Sequence, residues 1–286
     1  MIAGTARGFR DILPKEALAR ERISATVRDC FAEHGYLPVE TPLLEDRAAL
    51  ERGGRIKNTP FQLFDADGNL LMLRPDLTLP VARLVAGHVR AEELPARFRY
   101  NAPVVREQQS LRGQPRQFTQ LGVELVGTDG SAAEVEVVRL LAEALATLEV
   151  PAWRLVFGSV TPLTALLSNC SPSPEFSAQV LALVHDSDLV SLDELVDATP
   201  ALKPSAARAL HAVPRMHGGV EVVDAIDALL AEADVPPAER GCAELKALVA
   251  ELSDLFGDGR ASFDFSIINS FDYYTGIIFK GYAEGI

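Results

Sequence analysis

The sequence predicts an α+β protein whose strands pair antiparallel and whose later half carries an inserted block of helices. Three observations lead there. Two apolar runs between Phe61 and Leu73 flank Ala66-Asp67-Gly68-Asn69, and Asp-Gly favours a tight hairpin turn. Two strand-like stretches, Ala96 to Glu107 and Gln117 to Gly127, are joined only by a polar loop with Gly113 and Pro115. That order fits an antiparallel ribbon rather than a βαβ crossover. From Pro172 to Phe256 the composition turns to Ala, Leu, Asp and Glu with helical periodicity, interrupted by prolines, the pattern of a helical insertion. The division expected is a core over residues 1–171, an insertion over 172–258 and a continuation of the core over 259–286.

The elements follow in order. Gly8 to Pro14 is a turn-like entry. Ala19, Ile23, Val27 and Phe31 recur every fourth residue, which predicts an amphipathic helix from Ala17 to His34, closed by Gly35. Tyr36 to Pro42 is extended, because each proline biases its predecessor away from helix. A helix is expected from Thr78 to Val89, with Asp76 and Thr78 suited to cap it. Ser131 to Leu148 is a longer helix, in which Ser131 as N-cap and Glu134 three residues on make a capping box. A strand is expected at Trp153 to Val160, and strand character returns at Ala261 to Ile268 and Tyr273 to Gly281.

Composition narrows the function. With 286 residues and 48% hydrophobic content, the chain can bury one large core or two smaller ones. A formal charge of -13 argues against a nucleic-acid surface, which needs lysines and arginines to release counterions from phosphates. Cys30, Cys170 and Cys242 are odd in number and lack C-x-x-C spacing, against a disulfide framework or a zinc site and in keeping with a reducing cytoplasm. His34, His88, His185, His211 and His217 show no metal spacing. The Gly-Gly pairs at 53–54 and 218–219 and Gly257-Asp258-Gly259 lack a phosphate-binding context, so no metal or cofactor is expected. Neither a signal-like start nor a run of about twenty apolar residues is present, so a cytoplasmic protein without a membrane span is expected.

Certain residues have the chemistry that a small cationic ligand would need. In Leu73-Arg74-Pro75-Asp76-Leu77-Thr78, a carboxylate and a hydroxyl could receive the N–H bonds of an ammonium. Gln120 and Glu124 add acceptors on the following strand. Acceptors buried together without a cation of their own call for a cationic ligand. Tyr273 and Tyr274 would be strand neighbours pointing to opposite faces, so at most one can line such a pocket.

Taken together these segments resemble the motifs of the histidyl-tRNA synthetases, a class II aminoacyl-tRNA synthetase family. His34 to Glu45 resembles motif 1, with Pro42 as the dimer-interface proline. Leu73 to Thr78 resembles Leu-Arg-Pro-Glu-x-Thr, whose carboxylate and hydroxyl receive the amino group of histidine. Arg106, Gly113, Arg116, Phe118, Gln120 and Glu124 match motif 2 in register. Ser266 to Gly276 resembles the histidine-specific signature Leu-Val-Arg-Gly-Leu-Asp-Tyr-Tyr, keeping Tyr273 and Tyr274.

The departures fall on charge. Asn269 stands where the family has its catalytic arginine, Gln108 replaces an ATP-contacting glutamate, and Gln114 replaces a phosphate-facing arginine. Arginine can grip a carboxylate with two donors and neutralise a phosphate, and asparagine does neither well. Losing one such donor costs ~3 to 4 kcal/mol of transition-state stabilisation.

The nearest form of the resemblance is the ATP phosphoribosyltransferase regulatory subunit. It implies a class II synthetase-like antiparallel sheet flanked by helices, with no catalytic residues and no cofactor. It also implies a short-form ATP phosphoribosyltransferase catalytic subunit as partner, which needs this subunit for activity, and feedback inhibition by histidine as allosteric effector. The chain would form a homodimer within a hetero-oligomer and bind no tRNA. Histidine would place its ammonium on Asp76, Thr78 and Gln120, its imidazole near Glu124 and Tyr273 or Tyr274, and its carboxylate on Arg106 or a backbone donor. Both families continue into a glycine-rich motif 3 strand and helix, so the resemblance implies that this sequence stops short of it. The alternatives are a histidyl-tRNA synthetase catalytic-core fragment, and a free-standing paralogue that activates a protein kinase or ligates an amino acid to another carrier.

Overall fold

The computed structural model describes residues 4–52, 61–107, 115–128, 130–267 and 276–283. They belong to two units, residues 1–150 and 151–286.

The first unit contains α1 (Pro14–Glu33), β1 (Leu37–Pro38), β2 (Leu44–Asp46), α2 (Arg47–Glu51), β3 (Gln62–Phe64), β4 (Leu70–Leu73), α3 (Thr78–His88), β5 (Ala96–Val105), β6 (Gln117–Val126) and α4 (Ser131–Thr147). Helix α1 starts earlier than its apolar period suggests because Pro14 occupies its first turn, where a missing N–H costs nothing. Gly35 follows it at φ +80°, the left-handed conformation that ends helices. The expected hairpin forms as β3–β4, and Asp65 Oδ1 accepts from the backbone N–H groups of Asp67 (2.9 Å) and Asn69 (2.8 Å) to fix its turn. The capping box at α4 does not form as expected. Gly130 is the N-cap at φ +87°, Ser131 is already helical, and no side chain caps the helix. A box needs its serine in extended backbone just outside the helix.

Two sheets organise this unit, with strand orders β1-β5-β6 and β2-β4-β3. The predicted ribbon is present: β5 and β6 pair antiparallel from Ala96↔Val126 to Val105↔Gln117. Side chains alternate across a strand, so the ribbon has two distinct faces. Leu121, Val123 and Leu125 pack on a cluster with Val27, Phe31, Tyr36, Leu140 and Ala144, supplied largely by α1 and α4. Phe98, Tyr100, Ala102, Val104 and Phe118 pack with Leu77 and Val81 at the start of α3. Each large apolar side chain so buried contributes about 1.5 to 3 kcal/mol. The second face carries the candidate site.

The second unit contains β7 (Arg154–Ser159), α5 (Thr161–Cys170), α6 (Pro174–His185), α7 (Leu189–Asp197), α8 (Pro204–Ala212), β8 (His217–Gly218), α9 (Glu221–Glu232), α10 (Cys242–Glu251), α11 (Ser253–Gly257), β9 (Ala261–Asp264) and β10 (Ile277–Tyr282). Its sheet runs β10-β7-β9-β8. Strand β9 is shorter than expected because Asp264 Oδ1 accepts from Ser266 N and Ser266 Oγ (2.9 and 2.6 Å), turning the chain. Pairings among the described residues are antiparallel except β1–β5 and β7–β9. Parallel neighbours need a long crossover, and the helical block between β7 and β9 supplies it. None of the helices among the described residues is long and apolar enough to cross a membrane.

Candidate functional site

The segment Leu73-Arg74-Pro75-Asp76 enters the site already tied on both sides. Arg74 N donates to Leu43 O (3.1 Å), and Val105 N donates to Arg74 O (3.1 Å). The Arg74 side chain is buried and finds carbonyls rather than a carboxylate. Its Nε donates to Pro103 O at 3.0 Å, and its Nη1 to Thr41 O at 2.6 Å and Pro42 O at 3.2 Å. A buried guanidinium survives only when its donors are satisfied, and here they bolt the Thr41-Pro42 segment to β5. Two residues on, Asp76 is only 2% exposed. Its Oδ1 accepts from Leu79 N at 3.3 Å, so it serves the open end of α3. Its Oδ2 is buried with no hydrogen-bond partner among the described residues.

The ribbon presents the remaining groups. Tyr100 stands directly opposite Gly122, with Ala102↔Gln120 and Phe98↔Glu124 as the flanking pairs. A β-carbon at position 122 would lie 2.5 Å from the Tyr100 hydroxyl oxygen, so only glycine lets the ring lie over its partner strand. Laid down in this way, Tyr100 donates its hydroxyl hydrogen to Glu124 Oε1 at 3.1 Å, and Gln120 Nε2 donates to the same hydroxyl at 3.4 Å. The Thr78 side chain lies close enough to Glu124 and Tyr100 to favour the ionised form of each. Gln120 Oε1 is buried without a partner among the described residues.

The electrostatics follow from burial. Desolvation pushes the Asp76 carboxyl above its ordinary range, against the Leu79 N–H, the nearby Arg106 charge and the Thr78 N–H, which pull it down. Desolvation also raises the Glu124 carboxyl; hydrogen bonds from Thr78 and Tyr100 oppose this, and the Asp76 charge adds to it. Burial raises the Tyr100 phenol as well. Arg106 donates from Nε to Pro75 O at 2.6 Å, and its guanidinium carbon lies 5.2 Å from the Phe118 ring centroid. Two carboxyls penalised by burial, beside two oxygens that lack donors, suit an ammonium or another compact N–H donor with positive charge.

Of the expected site residues, Gln120 and Glu124 meet at the Tyr100 hydroxyl with Thr78 beside them, and Asp76 acts on Tyr100 and Glu124 through its charge. Arg106 acts on Asp76 through its charge. Tyr273, Tyr274, Asn269, Gln108, Gly113 and Gln114 lie outside the described residues. Pro42 offers its carbonyl to Arg74. Arg116, matched in motif 2, pairs with Glu107 and donates from Nη1 to Arg7 O at 3.2 Å, near the start of the chain. Tyr100, Gly122 and Arg74 have parts in the site that sequence reasoning did not assign. Tyr100 and Gly122 carried one usable signal, their even spacing from Ala102 and Gln120 on the same face. No group of three or more histidine, cysteine or acidic side chains suited to a metal occurs among the described residues.

A family model described as histidyl-tRNA synthetase matches residues 8–286. The ATP phosphoribosyltransferase regulatory subunit of Moorella thermoacetica is 34% identical over 281 residues, spanning 98% of this chain and 71% of that protein. The regulatory subunit of the same name from Symbiobacterium thermophilum is 35% identical over 287 residues, spanning 98% and 69%. Among solved structures, an ATP phosphoribosyltransferase regulatory subunit/histidyl-tRNA synthetase from Bacillus halodurans superposes with a TM-score of 0.88 at 27% identity, covering all of this chain and 74% of that one.

Proposed function

Because the chain belongs to the family of ATP phosphoribosyltransferase regulatory subunits, built on a histidyl-tRNA synthetase-like fold, we propose that it is a non-catalytic histidine sensor. It joins a short ATP phosphoribosyltransferase catalytic subunit in the cytoplasm, is required for that subunit's activity, and transmits feedback inhibition by histidine. The observation that carries the sensing half is the pair Gln120 and Glu124 on the Tyr100 hydroxyl with the buried Asp76 acting on it, in which Asp76 Oδ2 and Gln120 Oε1 are buried without donors among the described residues. The ligand ammonium fills that gap, and its imidazole lies toward Glu124. The protein acts as a homodimer through the Pro42 segment, within a larger hetero-oligomer, and takes no tRNA.

Reconstitution tests this. Adding the protein to a short catalytic subunit should switch on phosphoribosyl transfer, and histidine should switch it off. A catalytic subunit indifferent to the protein overturns the role. The match to the synthetase family model favours one rival, a histidyl-tRNA synthetase catalytic core. Pyrophosphate exchange with histidine and ATP separates the two: exchange above background establishes the synthetase, and none is expected here.

A further inference from the structure

The acceptor cluster is short of hydrogens. The described groups that face Asp76 and Glu124 are Tyr100 from β5, Gln120 from β6, Thr78 and the Leu79 N–H from α3, and Arg106 just beyond β5. Tyr100 gives its one hydrogen to Glu124, and the Gln120 amide nitrogen turns toward Tyr100. Arg106 directs its Nε to Pro75 O. Asp76 Oδ2 and Gln120 Oε1 receive no hydrogen bond from the described residues. Two carboxyls in one buried site cannot both ionise cheaply, and a proton is the smallest donor that relieves them.

We propose that, without ligand, the Asp76 and Glu124 carboxyls hold one proton between them, and that a ligand ammonium binds by displacing it. The proposal rests on the reading of this pocket as an amino-acid site and adds how its occupancy is set. The balance is simple: the carboxylic O–H breaks, its proton passes to solvent, and the ammonium supplies N–H donors to the carboxylate left behind. Burial of Asp76 and partial burial of Glu124, with the charge of Asp76 acting on Glu124, push both carboxyls in the direction this exchange needs. Coupled sites of this kind titrate as a pair rather than as two residues. Histidine sensing then depends on pH as well as on histidine.

Calorimetry of histidine binding to the full chain, in phosphate and in Tris at one pH, reads the released proton directly. The wild type should release about one proton more than Asp76→Asn, a difference that cancels any contribution from the imidazole of the ligand. Affinity should climb about tenfold per pH unit on the acid side and then level off. Binding with equal proton release in wild type and variant overturns the shared proton and leaves the histidine pocket standing. Absence of histidine binding overturns the pocket reading itself. Carbon-13 titration of the carboxyls in the free protein then decides the proton separately. A resonance that titrates above the ordinary carboxylate range, and is lost in Glu124→Gln or Asp76→Asn, supports it; ordinary titration of every carboxyl refutes it.

Discussion

Tyr100 and Gly122 face each other across the β5–β6 ribbon in direct register, and the phenol ring occupies the volume that a side chain at 122 would need. That pairing delivers the Tyr100 hydroxyl to Glu124. A glycine in mid-strand ordinarily weakens a sheet. Here its missing side chain is what lets the site form.

Gly122→Ala should therefore damage the site from within the sheet. The added methyl meets the Tyr100 ring, and overpacking of this kind costs about 1 to 3 kcal/mol. Urea unfolding should show that loss, and calorimetry should show weakened histidine binding. Tyr100→Phe removes the hydroxyl and keeps the ring, so it should weaken histidine binding with less loss of stability.

Arg74 should prove structurally expensive to replace. Its donors hold Thr41 O, Pro42 O and Pro103 O, and Arg74→Met removes these hydrogen bonds from a charged donor, worth roughly 1.5 to 3 kcal/mol each. Chemical denaturation should show a lowered midpoint. Because the same residue sets the backbone one step before Pro75 and Asp76, histidine affinity should fall with it.

Removing an acceptor should cost binding without costing assembly. Glu124→Ala or Asp76→Ala deletes a charge-assisted hydrogen bond, worth roughly 1.5 to 3 kcal/mol, or about ten- to a hundredfold in affinity. Complexes with the catalytic subunit should remain active and resist inhibition by histidine. Equal histidine affinity in wild type and Glu124→Ala, measured by calorimetry, would remove this pocket from the feedback mechanism.

Glu124→Gln should separate stability from sensing. The folded-state carboxyl is raised above its ordinary value of 4.5, so the folded protein holds this proton more tightly than the unfolded chain. Its stabilising contribution is complete below that ordinary value and is lost as pH rises through the folded value. An amide never ionises and escapes the loss. Near neutral pH the variant should melt at a higher temperature than the wild type, and the gap should close as pH falls toward about 4. Its histidine affinity should fall nonetheless. A lower melting point at neutral pH would contradict the raised carboxyl.

The sequence by itself determined the elements that repeat locally. The four-residue period of Ala19, Ile23, Val27 and Phe31 gave α1, Asp67-Gly68 marked the hairpin, and the even spacing of Gln120 and Glu124 put both on one strand face. The resemblance brought Asp76 and Thr78 to the same site. Register and long-range hydrogen-bond satisfaction are settled only in the folded molecule. Whether Tyr100 meets Gly122 or a neighbour depends on how two ten-residue strands slide past each other, and a slip by one residue would turn every side chain to the other face. The carbonyls that Arg74 satisfies lie 29 to 33 residues away, and the parallel pairing of β7 with β9 spans the whole helical block. Propensity and period act over a few residues, whereas burial and hydrogen-bond satisfaction are settled between segments that meet only when the chain has folded.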